Sequence, residues 1–257
     1  MSCKNMEETE GIVLRSFDFR QTSRIVTFFT RHFGKIKGLA KGARRMNSPF
    51  GSSLEPFSYD YICFYKSRCG NIHLLSKCEV KNFFPEIRED TLKSAIALYW
   101  VEIIHELAED RDEGLFEFLL SSLAFLDSER ELPSLLVSFF ELNLLKLSGY
   151  GPVLTHCVNC KKERDTVKFS SKFGGLLCLD CYFKDERLID ISPNTISLMR
   201  LLMRIPVEHI SRIRVTSKLL GQLKRVIHYY LFYSIGKRPK SLSFLEKVKK
   251  EKEGVRL

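Results

Sequence analysis

The amino terminus of this 257-residue chain lacks the apolar core of a secretory signal: Met1-Ser2-Cys3-Lys4-Asn5-Met6-Glu7-Glu8 is polar and charged. No run approaches the roughly 18 apolar residues that a membrane-spanning helix requires. The stretch Leu135 to Leu147 is apolar but short, and Ser138, Glu141, Asn143 and Lys146 break it. These absences predict a cytoplasmic protein with no membrane association, whose eight cysteines are thiols or metal ligands rather than disulfides. Catalytic constellations are missing too. The six histidines are isolated, and Glu102, Glu106, Glu109 and Asp110 read as an exposed helix face rather than a metal-binding nuclease centre. No enzyme and no small-molecule substrate is expected. There is no internal repeat and no low-complexity segment.

Acidic residues are the scarcer sign of charge. Lysine and arginine number 41 against 31 aspartates and glutamates, a net charge of +10. The surplus is unevenly placed. Residues 1–80 hold 13 basic and 7 acidic residues, residues 81–150 hold 6 and 14, and residues 151–257 hold 22 and 10. The surplus points to a polyanionic partner, most often nucleic acid and less often an anionic membrane surface, with a merely soluble basic protein as the alternative, and the basic–acidic–basic division points to separate parts with separate surfaces.

Five β-rich runs fill the first eighty or so residues: Gly11 to Phe17, Thr22 to Thr30, Lys35 to Gly42, Phe57 to Tyr65 and Asn71 to Val80. Glycines 34, 51 and 70 sit between or beside them, as turn residues do. Five short strands of this length suit a small closed barrel, and the five-stranded OB-fold is the commonest. The pattern changes near Phe84-Pro85. Leu92, Ile96, Tyr99, Ile103 and Leu107 recur at helical steps, as do Leu115, Leu119, Leu123 and Leu126. Pro133 can open a further helix that stops at Gly149-Tyr150-Gly151-Pro152. Ser192 followed by Pro193, and later Thr216, are N-caps of two more helices, the second ending near Gly236. The charged tail Glu246 to Leu257 is expected to fray. The fold class expected is α+β: an OB-fold barrel over residues 1–82, then a helical domain over 83–257 carrying a cysteine-rich insert at 155–184.

Cys157-Val158-Asn159-Cys160 and Cys178-Leu179-Asp180-Cys181 are two C-x2-C pairs, 17 residues apart. Two residues between cysteines let one tight turn bring both sulfurs to a metal at about 2.3 Å. Two such pairs at this spacing predict one four-cysteine zinc site, with four ordinary buried cysteines or a dithiol pair as the alternatives. Four thiolates close the coordination shell, so the zinc is structural rather than hydrolytic. His156 adjoins the first pair but is left out of the ligand set. Cys3, Cys63, Cys69 and Cys78 have no metal spacing, and Cys63 and Cys78 lie in strand runs as small core residues.

From Arg15 to Arg45 there are nine basic residues and one acid, Asp18. Lys35 and Lys37 share one strand face, and Lys41, Arg44 and Arg45 enter a loop rich in glycine and serine. A flexible basic loop beside a barrel strand can follow a phosphate backbone in a sequence-tolerant, salt-dependent way. The alternative is a solvated strand and an ordinary surface loop. Phe57, Tyr59, Tyr61 and Tyr65 are read as barrel core or a helix-packing face, not as a stacking platform.

The same residues carry a likeness. Gly11-Ile12-Val13-Leu14-Arg15-Ser16, Thr22-Ser23-Arg24-Ile25-Val26, Thr30-Arg31-His32-Phe33-Gly34-Lys35 and Gly38-Leu39-Ala40-Lys41-Gly42-Ala43-Arg44-Arg45 resemble the N-terminal signature of the bacterial RecO recombination mediators. Leu54-Glu55-Pro56-Phe57 and Pro239-Lys240-Ser241-Leu242 also fit, and the order of parts agrees over nearly the whole chain; the helical parts match by pattern only. The resemblance implies binding of single- and double-stranded DNA and annealing of complementary strands, including strands coated with single-strand binding protein. It also implies action with RecR in loading RecA in the RecF pathway, at the nucleoid. It makes Arg15, Arg24, Lys35, Lys37, Lys41, Arg44 and Arg45 the candidate DNA contacts, and Cys157, Cys160, Cys178 and Cys181 the zinc ligands. The acidic block 81–150 is the one departure. The competing readings are a zinc-ribbon enzyme acting on nucleic acid, which would need the centre missing above, and a scaffold that never touches DNA.

Overall fold

The computed structural model describes residues 6–51, 53–68, 70–108, 111–163 and 167–254. Cys3, Cys69, Glu109 and Asp110 lie outside the described residues. The chain divides into two compact units, residues 1–128 with 239–257, and residues 129–238.

The first unit contains the barrel. Its strands are β1 (Met6–Phe19), β2 (Ser23–Thr30), β3 (Gly34–Ala40), β4 (Tyr59–Tyr65) and β5 (Ile72–Asn82). They close in the order β1-β2-β3-β5-β4, with β3 and β5 parallel and β4 returning antiparallel to β1, which is the OB-fold arrangement expected from the five runs. Gly38 permits the parallel closure. A Cβ there would lie 2.5 Å from Leu75 Cγ, so only glycine lets β3 approach β5. In β1 the register shifts between Val13 and Arg15, and Ile12, Val13 and Leu14 are all buried. The loop after β3 departs from the expected flexible segment. Its basic first half is exposed, but Phe50 and Leu54 turn back and join Val26, Phe28, Ile62 and Phe64 in the barrel core. Burying two large side chains anchors the loop's return at about 1.5–3 kcal/mol each.

Helices α1 (Pro85–Glu89), α2 (Thr91–Leu107) and α3 (Glu113–Ser128) follow the barrel. Tyr59 and Phe29 pack against Phe116 of α3, with ring centroids 6.3 Å and 6.1 Å away, which makes this a helix-packing face as expected. Arg88 joins α1 to the barrel, donating to the carbonyls of Phe83 (2.8 Å) and Pro56 (3.0 Å) and to Ser58 Oγ (3.1 Å). Asp90 caps α2 by accepting from the N–H groups of Leu92 (2.7 Å) and Lys93 (3.0 Å).

The tail expected to fray, Glu246 to Leu257, instead belongs as far as Gly254 to helix α7 (Lys240–Gly254), which packs on α2; residues 255–257 lie outside the described residues. Leu242, Leu245 and Val248 are buried one helical face deep, so tertiary burial overrides the polar composition. Glu102 of α2 holds its start, accepting from the N–H groups of Lys240 (3.0 Å) and Ser241 (2.8 Å). A carboxylate there satisfies orphan donors and complements the helix dipole. Glu102 is therefore a structural cap rather than part of an exposed face. Glu106 likewise pairs with His105 Nδ1 at 3.3 Å.

Asp60 is the anomaly of the barrel. It is fully buried on β4, and neither carboxylate oxygen has a hydrogen-bond partner. Burial raises its pKa to about 8, against a weaker downward pull from Cys78 and the Arg88 charge. A folded-state pKa above the unfolded one stabilises below about pH 4, and that contribution disappears as pH rises through about 8. Asp60→Asn should remove this slope. Denaturant melts at pH 5 and pH 9 should show the variant gaining on the order of 4 kcal/mol relative to the parent between the two. Equal pH dependence of the two proteins would show that Asp60 does not titrate in this way.

The second unit contains α4 (Leu136–Leu145), a π turn over Lys146–Tyr150, the small strands β6 (Val167–Ser170), β7 (Gly175–Cys178) and β8 (Leu188–Asp190), and helices α5 (Pro193–Leu202) and α6 (Ser217–Ile235). Pro133 opens only a turn, its carbonyl accepting from Leu136 N–H at 3.0 Å, and α4 starts later than expected. The N-caps at Ser192 and Thr216 and the left-handed Gly236 (φ 77°) stand where the sequence places them. Buried Glu141 of α4 meets His228 Nε2 of α6 at 3.0 Å. Among the described residues no helix is long and apolar enough to cross a membrane.

Candidate nucleic-acid interface and metal centre

Alternation along β3 puts Lys35 and Lys37 on one face, with different fates. Lys35 is half-buried and donates to the His105 carbonyl at 2.8 Å, whereas Lys37 is exposed. Arg24 is committed to two acids, Glu55 Oε1 at 2.8 Å and Asp18 Oδ1 at 3.2 Å, and Glu55 in the first place raises its pKa. Arg44 reaches Asp18 Oδ2 at 3.2 Å and the Gln21 carbonyl at 3.3 Å, tying the β1–β2 turn to the loop after β3. Arg15 stands 3.9 Å from Glu106. The remaining two, Lys41 and Arg45, line an open groove of about 750 Å³ between the β1–β2 turn and the start of the loop after β3. Phe19, Leu39 and Arg20 complete its walls.

Arg20 is the residue that sequence reasoning misses. It occupies the β1–β2 turn with φ 53°, its guanidinium carbon 5.3 Å from the Phe19 ring centroid. The available signal was a base in the gap between two strand runs, which is where OB-fold barrels present their binding loops. Lys37, Lys41, Arg45 and Arg20 carry no ion pair among the described residues. The seven candidates thus separate into four side chains already committed within the protein and three with unneutralised charge.

In the second unit the four sulfurs of Cys157, Cys160, Cys178 and Cys181 all lie within 4.8 Å of one another, and Cys160 Sγ is 3.7 Å from Cys178 Sγ. Tetrahedral coordination at 2.3 Å requires sulfurs about 3.8 Å apart, so the quartet fits a zinc ion. The surrounding donors fit it as well. Cys178 N–H points at Cys157 Sγ (3.4 Å), and Asn159 Nδ2 donates to Cys181 Sγ (3.2 Å). Burial would push the Cys157 thiol up, but the backbone amides of Cys160, Cys178 and Asn159 outweigh it and bring it to about 6. Cys178 goes the other way, raised to about 12 by burial and then by the thiols of Cys181, Cys160 and Cys157. Cys157 and Cys178 are thus driven in opposite directions within one crowded cluster, a charge problem that a dication resolves. His156 stays outside the quartet, its Nδ1 2.9 Å from Thr155 Oγ1.

The hairpin β6–β7 presents the second pair, and β8 extends the sheet in the order β7-β6-β8. Both glycines of Phe173-Gly174-Gly175-Leu176 have a physical cause. Gly174 has φ 65°, and a Cβ on Gly175 would lie 2.5 Å from the Val153 carbonyl oxygen. Cys63 and Cys78 are buried in the barrel, away from this cluster.

The family model for the N terminus of recombination protein O matches residues 1–84, and that for its C terminus matches residues 88–243. The chain belongs to the RecO family. Among its relatives, the DNA repair protein RecO of Syntrophus aciditrophicus is 32% identical over 97% of this chain and 99% of that protein. The RecO of Bacillus subtilis is 32% identical over 96% of each chain. The RecO of Alkaliphilus metalliredigens is 33% identical over 87% of this chain and 92% of its own. For a RecO-family chain the closed barrel and the four-cysteine cluster are the two features with chemistry to explain, and both match the likeness read from the sequence.

Proposed function

We propose that this chain is a DNA-repair mediator that binds single- and double-stranded DNA through the barrel, residues 1–82, and anneals complementary strands without catalysing a covalent step. The observation that carries the reading is the set of cations without an ion pair among the described residues, Arg20, Lys41 and Arg45 lining one groove of an OB-fold barrel and Lys37 exposed on its strand β3. Membership of a family whose relatives are DNA repair proteins supports it. The mechanism is charge neutralisation. Basic side chains offset the repulsion of two phosphate backbones and hold them close until base pairing nucleates, so no acid, base or nucleophile is needed. Arg24, Arg44, Arg15 and Lys35 contribute from behind, positioning the turn and strand that carry the exposed cations.

On this reading the four cysteines hold one zinc that stabilises its own module, within the helical part 83–257, and performs no chemistry. The partners are RecR, single-strand binding protein and, through RecR, the loading of RecA, and the protein works in the cytoplasm at the nucleoid. The test follows annealing by fluorescence with two complementary oligonucleotides, each coated with the organism's own single-strand binding protein. Acceleration that disappears at high salt supports the proposal. Absence of acceleration by folded, zinc-loaded protein refutes it in favour of a scaffold role, and metal-dependent cleavage of the DNA would refute it in favour of an enzyme.

A further inference from the structure

The second unit holds an open cleft of about 660 Å³ between the 3-10 turn Leu179–Lys184 and helix α6. Two aromatic rings on its walls face solvent, Phe183 at 76% exposure and Tyr233 at 58%. Large apolar side chains left this open mark contact surfaces when they cluster. Their setting is cationic. Lys184 Nζ lies 5.0 Å from the Phe183 ring centroid, and Arg238 lies 5.9 Å from that of Phe232. Lys172, Arg187 and Lys237 complete five bases on the lining, against two acids, Asp185 and Glu186. Asp185 is turned inward, accepting from Ser170 Oγ (2.5 Å) and from Arg187 N–H (3.0 Å).

We infer that this cleft is a second single-stranded DNA site, in which bases stack on Phe183 and Tyr233 while Lys184 and Arg187 meet phosphates. An uncharged apolar partner would bury Lys184 and Arg187 without compensation. A small anion would leave both rings in water. An acidic peptide would satisfy the cations but need not cover flat rings, whereas every base offers a face to stack, and aromatics interleaved with bases are the usual make-up of a sequence-tolerant single-strand site. The inference rests on the annealing proposal and deepens it, because annealing requires two strands held at once and a second site would retain one strand while the barrel cations engage the other.

The test uses the full-length, zinc-loaded protein and a fluorescent oligothymidylate containing 5-iododeoxyuridine, which photo-crosslinks to aromatic side chains. Phe183→Ala/Tyr233→Ala is made in the parent and in a Lys37→Ala/Lys41→Ala/Arg45→Ala background, with zinc content and melting as folding controls. Lys184→Glu/Arg187→Glu is a second variant that leaves the rings intact. The expected result is cross-linking at Phe183 or Tyr233, and about a hundredfold loss of oligonucleotide affinity in the barrel-disabled background, at about tenfold per stacked base. Annealing should slow in the aromatic variant even though its intact barrel still binds a strand. No cross-link at either ring, with affinity and annealing unchanged in both cleft variants, would overturn the cleft site while leaving the annealing proposal standing. Failure of the unaltered protein to bind or anneal DNA would overturn both. Loss of binding to an oligoglutamate peptide alone, with DNA cross-linking elsewhere, would reassign the cleft to a protein partner and overturn the inference.

Discussion

Chelation of the metal, or Cys178→Ser, should unfold residues 157–181 while the barrel strands keep their hydrogen-exchange protection. The finger has almost no core without its ion. Its buried cluster is Cys157, Leu177, Cys178 and Cys181, three of them the proposed ligands, with Val158, Tyr182 and Leu188 packed alongside. Leu177 is the one fully buried aliphatic side chain of that set, worth about 1.5–3 kcal/mol. Structural zinc contributes about 10–16 kcal/mol to such modules at neutral pH. Removing it also leaves four crowded thiols, of which Cys178 is held strongly against ionisation by burial and by its neighbours. The finger belongs to the unit 129–238 and the barrel to the other, so the loss should stay local. Exchange measured by mass spectrometry with and without chelator reads this directly. Loss of protection in β1 to β5 on the same timescale would show that the two units fold as one.

Replacing Lys37, Lys41 and Arg45 with alanine should weaken single-strand binding about fiftyfold at 0.15 M salt. Each phosphate contact contributes about 0.7 to the slope of log affinity against log salt for single strands, so three contacts contribute about 2. With the ionic term vanishing near 1 M, a slope change of about 2 corresponds to roughly fiftyfold at 0.15 M. The salt titration is the decisive measurement, because a folding defect lowers affinity at every salt concentration, whereas lost phosphate contacts flatten the slope. Arg24→Ala should behave differently. Its guanidinium already serves Glu55 and Asp18, so its loss should disturb the β1–β2 turn and leave the slope nearly unchanged. A slope unaffected by the triple substitution would place the DNA surface elsewhere on the chain.

Much of this architecture is legible in the residues themselves. The five strand runs are local alternations, and alternation is set by the two-residue period of an extended chain. The two C-x2-C pairs specify a metal knuckle because the ligands of each pair lie within one turn. Ser192, Thr216 and Gly236 mark helix ends because capping is settled over three or four residues. In each case the cause acts over a short stretch of chain, so the sequence by itself determined the barrel, the cluster and most of the helix boundaries.

The tertiary structure decided what depends on partners far away in the chain. Of seven basic candidates of similar appearance, Arg24 is neutralised by Glu55, 31 positions on, and Lys35 donates to a carbonyl 70 positions on. Lys37, Lys41 and Arg45 differ from them in having no such partner among the described residues. The polar tail became α7 because α2 supplies an apolar face for Leu242 and Leu245 and a carboxylate, Glu102, for its first N–H groups, 138 positions away. Asp60 lies on an alternating strand like its neighbours, and only closure of the barrel buries its carboxyl. Charge pairing and burial are energies of proximity in space, and the chain acquires them only when it folds.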